Sequence, residues 1–579
     1  MYDPSEEQYS ILPRAIADED SNPHKANKSN WSDKLQNCYQ STEPPVFVNV
    51  IPWLPQAVII DAMFLINTTL LRRTKTISEY AKFLFNQFVL EHYKAGTKEV
   101  HLIFDNPTTR KFNPKQFEHT RRYNTNKKCS SQHEHCVLTP NSNIPLGWRE
   151  HLQCRVCKQS ITEAIGISFL QKGRLLLAND QKLFIAGCFT GDSENCAWAI
   201  SPLEITPEKA SQYNSNAAEA DNRIWRHASE TDATKILICS PDTDVYNIGL
   251  SLLSQEAKEY IVQLNVHHSV EKKYICLNNL KAAFFNDPDL STIHRESLCL
   301  IVQSLFISTG CDFISYFKSF GKATILNNFF QYTTFICGTN MEGSLEEIHQ
   351  HDREIGFLAF IRLIGTCYFK KHLPAFISNK GHSTPLQLYN SIGPSLPPME
   401  RHQVWLREIR RLVSNRITTE EEQVPSVTSL WRHWLRSSWI HQMWQYSSQC
   451  DMYSSLPEPE NSGWTTSEEG SYAIDWEAPE VVEKVKGTIQ FLTKGCSCKK
   501  GCASNNCGCR KKGKHCGPGC ECQRCVNIPM EEATANNSAD ETSDEETDEE
   551  ENDSNDSSEE LQMEIVTEDF FVDNIDIVL

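Results

Sequence analysis

The segment KILICSPDTDVYNIG, residues 235–249, changes character at its middle. Its first part, Lys235 to Cys239, is a short apolar run closed by a turn-forming Ser-Pro, which predicts a buried β-strand. Its second part opens on two carboxylates two positions apart, Asp242 and Asp244. The same pattern occurs twice upstream. Val58 to Ile60 predicts a strand ending at Asp61, and Val100 to Phe104 predicts a second one ending at Asp105. Between them, Ser78 to Tyr93 has the helical spacing of Ala81, Leu84, Phe85 and Phe88, with Gly96 as a stop signal. Strands alternating with helices in this way predict an α/β fold with a parallel sheet and helices on both faces.

In open α/β sheets, ligands collect beyond the carboxyl ends of the strands. One Asp at such a position usually caps a turn or a helix. Three strands with the same ending point to a shared site. Glu219 and Asp221 in AAEADNRIW and Asp312 in TGCDFISYF enlarge the set to seven. Seven like charges at one site repel strongly, so the set predicts neutralising divalent cations. Hard oxygen ligands favour Mg²⁺ or Mn²⁺, and two such ions suit phosphodiester hydrolysis.

Taken together, IIDAMFLIN, HLIFDNP, EADNRIW, CSPDTDVYNIG and TGCDFISYFKSFGKATIL resemble the PIN-like flap endonuclease superfamily, over roughly residues 56–335. The resemblance implies a structure-specific DNA endo- or exonuclease. It implies that Asp105 and Glu219 bind a first metal directly, with Asp61 and Asp221 acting through water. Asp242, Asp244 and Asp312 would hold the second metal. It also implies that Lys318 to Leu326 forms a helix-turn-helix-like grip on duplex backbone, with Lys322 on phosphate. The family's Gly-hydrophobic-Gly turn reads Ser319-Phe320-Gly321 here. About 55 residues precede the first strand, whereas the family brings its N-terminus close to the catalytic centre. A basic segment follows Asp105, containing Arg110, Lys111, Lys115, Arg121 and Arg122; within it, Arg110, Lys111, Arg121 and Arg122 are expected phosphate contacts as a group.

Cysteine usage adds two metal expectations. Of 23 Cys, nine lie between Cys496 and Cys525. They are Cys496, Cys498, Cys502, Cys507, Cys509, Cys516, Cys520, Cys522 and Cys525. Three tetrahedral zinc ions need twelve ligand positions, which nine thiolates supply when three of them bridge. A segment this short cannot build an apolar core, so metal would supply its folding energy. Gly495 to Asn527 resembles the tesmin-type CXC domain, which implies DNA contact through Lys499, Lys500, Arg510, Lys511, Lys512 and Lys514. Asn506 stands where paired domains of that type carry a Tyr, and only one copy is present, so the expected contact is to backbone rather than to base edges. Upstream, Cys154-x-x-Cys157 has zinc-knuckle spacing. Cys129 with Cys136, or His133 or His135, would complete a further zinc site, and the alternative is a helix with two unrelated thiols.

Across all 579 residues, 39% hydrophobic and 23% charged composition predicts a mainly globular chain. Its longest apolar stretch, around Leu298 to Ile307, is far short of the roughly 20 residues of a membrane span. With no signal-like N-terminus, the expectation is a soluble, non-secreted, nuclear protein without membrane contact. The net charge of −19 conceals an asymmetry, because residues 531–579 hold 20 acidic side chains and no Lys or Arg. The expected organisation is a disordered arm at 1–45 and a nuclease core at 46–345 with a Cys/His insertion at 129–157. A mainly helical Trp-rich region follows at 346–485, then a zinc module at 490–527 and an acidic disordered tail at 528–579. Seven of the 12 Trp fall between Trp405 and Trp476, which predicts packed helix faces rather than a base-stacking surface. The tail's last residues alternate acids with Ile, Val and Phe, which suits a protein partner or a solubilising end. Two functions compete: a metal-dependent nuclease tethered to DNA by the zinc module, and a non-catalytic chromatin or transcription regulator on a retired nuclease fold. A domesticated mobile-element origin is compatible with the joining of the two modules.

Overall fold

The computed structural model describes residues 12–25, 28–106, 112–115, 137–253, 258–265, 271–414, 416–417, 419–466, 471–483, 486, 496–499, 501–504, 506–511, 515–516, 520–522 and 525–527. The chain forms two compact units, Met1–Gln490 and Phe491–Leu579. Among the described residues, no helix is long and apolar enough to cross a membrane.

The larger unit is built on a mixed, mostly parallel sheet. Its strands are β1 (Phe47–Val48), β2 (Ala57–Asp61), β3 (Glu99–Ile103), β4 (Lys182–Ala186), β5 (Ala197–Ile200), β6 (Glu208–Lys209), β7 (Lys235–Cys239), β8 (Glu259–Gln263) and β9 (Tyr274–Cys276). They lie in the order β1-β9-β8-β7-β2-β3-β4-β5-β6. The five central strands, from β8 to β4, are parallel, and antiparallel strands extend both edges. The central strands read as apolar runs because both faces are covered. Side chains alternate between two cores: Ala57, Ile59, Ile236 and Ile238 join one, and Val58, Ile60, Leu237 and Cys239 join the other.

From β2 the chain winds through β3 to β4 and then returns to place β7 on the other side of β2. Winding therefore reverses at β2. The helix Ala62–Thr68 that follows β2 packs into one core and the helix Thr243–Gly249 that follows β7 packs into the opposite one. Diverging connections of this kind open a crevice at the carboxyl edge of the sheet. The expected helix at 78–93 runs as Ile77–Leu84, a π turn at Phe85–Val89, and Leu90–Lys94. Gly187, just after β4, has φ of +89°, and a Cβ there would lie 2.0 Å from the Phe104 carbonyl oxygen. Only glycine lets this loop close over the residue that precedes Asp105.

Two expectations change. The arm at 1–45 is structured from Leu12 onward among the described residues: Ser29–Tyr39 is a helix, and Trp31, Leu35 and Tyr39 are buried in the main core. A spacing of four along a polar segment puts those three side chains on one helical face, and average composition hides the pattern. The Trp-rich region is helical as expected, including Arg353–Lys371 and Val427–Gln445, but it is no separate body. Trp405, Trp434, Trp439, Trp444 and Trp464 belong to the same core as the sheet's strands. The acidic tail lies outside the described residues. Trp31 packs edge-on against Phe306 at 5.2 Å and is fully buried, so Trp31→Ala should cost about 3–5 kcal/mol. A urea midpoint equal to that of the parent would contradict the folded arm.

Candidate functional site

Two of the three strand-end acids arrive by the same local device, a helix N-cap, and the third by a long-range hydrogen bond. Asp61 is the last residue of β2 and the N-cap of the next helix; its Oδ1 accepts from the Phe64 N–H at 3.0 Å and its Oδ2 from the Ser240 hydroxyl at 3.2 Å. Asp242 caps Thr243–Gly249, with its Oδ1 accepting from the Asp244 N–H at 2.9 Å. Asp105 follows β3 and accepts from the Ala220 N–H at 3.1 Å, which ties it to the segment bearing Glu219 and Asp221. The cap reading and the site reading therefore both hold for Asp61 and Asp242. Asp312, after the helix Leu298–Ser308, closes the set, and oxygens of Asp242, Asp244 and Asp312 lie within 4.8 Å of one another.

Three lysines, none of them expected as site residues, reach into these acids. Lys28 Nζ lies 3.0 Å from Asp242, 3.1 Å from Asp244 and 3.0 Å from Asp312. Lys115 Nζ lies 3.1 Å from Glu219, 3.7 Å from Asp221 and 3.6 Å from Asp312. Lys158 Nζ lies 2.8 Å from Asp105. Lys28 and Lys115 thus bridge Asp242, Asp244, Asp312, Glu219 and Asp221, Lys158 pairs with Asp105, and Asp61 lies beside Asp105 without a lysine of its own among the described residues. These contacts correct the expectation that divalent cations alone make the set tolerable, because the chain carries part of the compensation itself. Four negative charges remain uncompensated when all ten groups are ionised.

Burial and like charge push several of these acids toward neutrality. Burial, with Asp105 nearby, raises Asp61 to about 7. Burial raises Asp244 to about 7 as well, with Asp242 and Asp312 adding to it against Lys28. Asp221 is held well above the usual carboxylate range by burial and by Asp242, Asp61 and Asp244. Asp105 goes the other way: burial opposes its ionisation, but Lys158 and Lys115 outweigh that and hold it well below the usual range. Burial works against the charge on Lys28 and Lys115 too, yet the surrounding carboxylates raise both well above the ordinary ammonium value. Burial and the resident lysines thus drive the ionisation of neighbouring acids apart within one site.

Residues 427–476 brace three of the segments that carry the site. Phe112 sits with its ring 5.5 Å from Trp439, 5.1 Å from Trp464 and 4.7 Å from Tyr472, three residues before Lys115. The Asn216 N–H donates to the Cys450 carbonyl at 3.0 Å, and Ser447 donates to Asn222 Oδ1 at 2.9 Å, on either side of Glu219 and Asp221. His433, which burial lowers to about 3, lies with Nε2 2.8 Å from the Ser308 carbonyl, so the neutral ring donates there, four residues before Asp312.

Lys322 is not a phosphate contact. It is 1% exposed, donates to the Phe306 carbonyl at 2.5 Å, and lies 3.8 Å above the Phe306 ring, where burial lowers it to about 7. Trp31, delivered by the N-terminal helix, helps to cover it at 5.6 Å. Of the second expected zinc site, Cys154 and Cys157 are buried at the start of the helix Arg155–Leu176, and Cys129, His133, His135 and Cys136 lie outside the described residues. So do Arg110, Lys111, Arg121 and Arg122.

Among the described residues of the smaller unit the buried cluster consists of cysteines, and cysteine sulfurs approach as closely as 3.5 Å. Three tetrads have the separations of a metal site: Cys496, Cys502, Cys507, Cys516; Cys496, Cys516, Cys520, Cys522; and Cys502, Cys516, Cys522, Cys525. Cys516 belongs to all three. The sharing supports bridging thiolates and a cluster that can bind zinc. Asn527 seals it, donating from Nδ2 to Cys516 Sγ at 3.5 Å and from its backbone to Cys525 Sγ at 3.4 Å. Lys499, Arg510 and Lys511 are exposed around it, while Lys500, Lys512 and Lys514 lie outside the described residues.

No family model matches the chain, and no curated protein matches it. Its function must therefore be read from its own residues.

Two outcomes test these sites. The folded chain binds the Asp244 proton more tightly than the unfolded chain, so this group's contribution to stability is lost as pH rises from its ordinary 3.8 through about 7. Asparagine has no such dependence. In metal-free protein, the melting temperature of Asp244→Asn minus that of the parent should grow from pH 5 to pH 8, as calorimetry can read. In the cysteine unit, Cys516→Ser should lower bound zinc, measured by elemental analysis, by more than Cys507→Ser, whose thiol belongs to one tetrad only.

Proposed function

We propose that the chain is a metal-dependent, structure-specific nuclease of the PIN-like flap endonuclease type, tethered to DNA in the nucleus by a CXC-type zinc module. The observation that carries this reading is the gathering of seven carboxylates at the crevice where the winding of the sheet reverses. The donor set fits a hard divalent ion. Asp244 is fully buried; its Oδ2 meets the Lys28 ammonium at 3.1 Å, and its Oδ1 accepts no hydrogen bond among the described residues. Asp242, Asp244 and Asp312 would hold one ion, and Asp105 and Glu219, with Asp61 and Asp221 behind them, a second. Bound there, Mg²⁺ or Mn²⁺ would activate water for attack on phosphorus and stabilise charge on the leaving oxygen. Lys158, part-exposed beside Asp105, would receive phosphate oxygens, and the strand-end caps fix the Asp61 and Asp242 carboxylates in register. The exposed Lys499, Arg510 and Lys511 of the cysteine unit would meet phosphates without reading bases.

One observation favours the second reading, a non-catalytic DNA-binding regulator on a retired nuclease fold. Three ammonium groups already lie where cations would bind. Purified protein with labelled flap, bubble, junction and single-stranded DNA, and RNA, separates the two. With Mg²⁺ or Mn²⁺, at least one substrate should be cut. Asp242→Asn or Asp244→Asn should reduce the rate at least a hundredfold while leaving DNA affinity within about threefold of the parent. Undiminished cleavage by both variants would remove the assignment, and binding without cleavage by the parent would support the regulator.

A further inference from the structure

Lys28 is the least expected member of the site, since it comes from a polar segment far outside the sheet. It immediately precedes the helix Ser29–Tyr39, and that helix is fixed to the same two loops whose acids Lys28 meets. Ser32 Oγ and Tyr246 Oη hydrogen bond at 2.8 Å, which joins it to the helix carrying Asp244. The His24 N–H donates to Ser315 Oγ at 3.0 Å, and the Tyr316 N–H donates to the His24 carbonyl at 3.3 Å, which joins the preceding residues to the loop carrying Asp312. Trp31 anchors the helix in the core. The backbone that carries Lys28 is thus held in place by a built structure, and the ammonium reaches the acids from it on a flexible stem.

A divalent ion bound to Asp242, Asp244 and Asp312 would have oxygen ligands at roughly 2.0–2.6 Å. The Lys28 nitrogen stands 3.0–3.1 Å from one oxygen of each of those acids. A point close to all three oxygens is therefore close to the nitrogen as well, and two cations cannot share it. We propose that Lys28 is an internal cation that competes with the divalent metal for Asp242, Asp244 and Asp312 and so sets the metal affinity of this half of the site. The inference rests on the metal reading above, and it adds that occupancy here requires the Lys28 side chain to swing out. A lysine's four-carbon stem allows such a swing without unfolding the helix that carries it.

The test uses zinc-loaded full-length protein and Mn²⁺ alone, with free Mn²⁺ read by electron paramagnetic resonance. Lys28→Met should bind Mn²⁺ at least tenfold more tightly than the parent at one site, and Lys28→Arg, which keeps the charge, should bind it like the parent. Adding Asp244→Asn to Lys28→Met should abolish the gain. If Lys28→Met binds no more tightly, while Asp244→Asn still weakens Mn²⁺ binding, the metal reading stands and the competition is overturned. If neither the parent nor Lys28→Met binds Mn²⁺, the metal reading falls and the competition with it. Lys28→Gln repeats the comparison if the methionine variant does not fold by circular dichroism.

Discussion

The structure of the larger unit depends on how it contains the repulsion among seven carboxylates. Two like charges 4 Å apart repel by about 4 kcal/mol at an effective dielectric of about 20. A few uncompensated pairs would match the net stability of a whole domain, typically 5–15 kcal/mol. The chain meets this in two ways. Lys28, Lys115 and Lys158 place positive charge among the acids, and burial discharges part of the remainder by raising Asp61 and Asp244 to about 7. Each lysine comes from a different part of the chain, so the electrostatic requirement also dictates which segments must converge on the carboxyl edge of the sheet.

That requirement gives the Trp-rich helices a place in the architecture. Lys115 can compensate Glu219 and Asp221 only if the segment after Asp105 is held against the sheet, and Phe112 holds it among Trp439, Trp464 and Tyr472. The same region grips the Glu219 segment through Asn216 and Asn222 and the approach to Asp312 through Ser308. Aromatic burial of this kind is non-directional and large, whereas an ion pair needs its partners within about 4 Å. Packing from residues 427–476 thus supplies the rigidity that the charged groups cannot supply for themselves. This is why the region shares one core with the sheet instead of forming a separate body.

The sheet and its acids were legible because their signals are local. Lys235–Cys239 is a strand as read, Asp61 and Asp242 stand where the apolar runs stop, and an acid at a strand end is visible within a window of six residues. Lys28 and Lys115 were not legible as site residues. Nothing within ten residues of Lys28 distinguishes it from any lysine in a polar arm, and its place in the site depends on contacts remote in sequence, such as Trp31 against Phe306, about 275 positions away, and Ser32 with Tyr246. Lys322 failed for the converse reason. Its neighbours Gly321 and Phe320 suit a phosphate-binding turn, but the same docking of Trp31 helps to cover its amine. The Trp, Leu and Tyr at 31, 35 and 39 were readable as a helical face, and composition averaged over 45 residues concealed them.

The two units face the same problem, like charges crowded together, and their chemistry separates the solutions. A carboxylate is ionised in the unfolded chain at neutral pH, so the acids of the crevice must be compensated as the sheet forms, and resident lysines do part of that without any external ion. A cysteine thiol is mostly neutral at that pH and becomes a thiolate when a metal binds it. Its charge appears together with the cation that compensates it, and no internal lysine is needed among the sulfurs. In accordance with this, the buried apolar residues of the smaller unit are cysteines with sulfurs in mutual contact, while its described basic side chains are exposed. The sheet unit also buries two apolar cores, which can support its fold whatever ion is present, whereas a cluster whose interior is sulfur has little hydrophobic area to hold it before its metal arrives. A divalent ion held by the crevice acids would therefore be an addition to a finished structure, whereas zinc held by the cysteines would supply the act of folding itself.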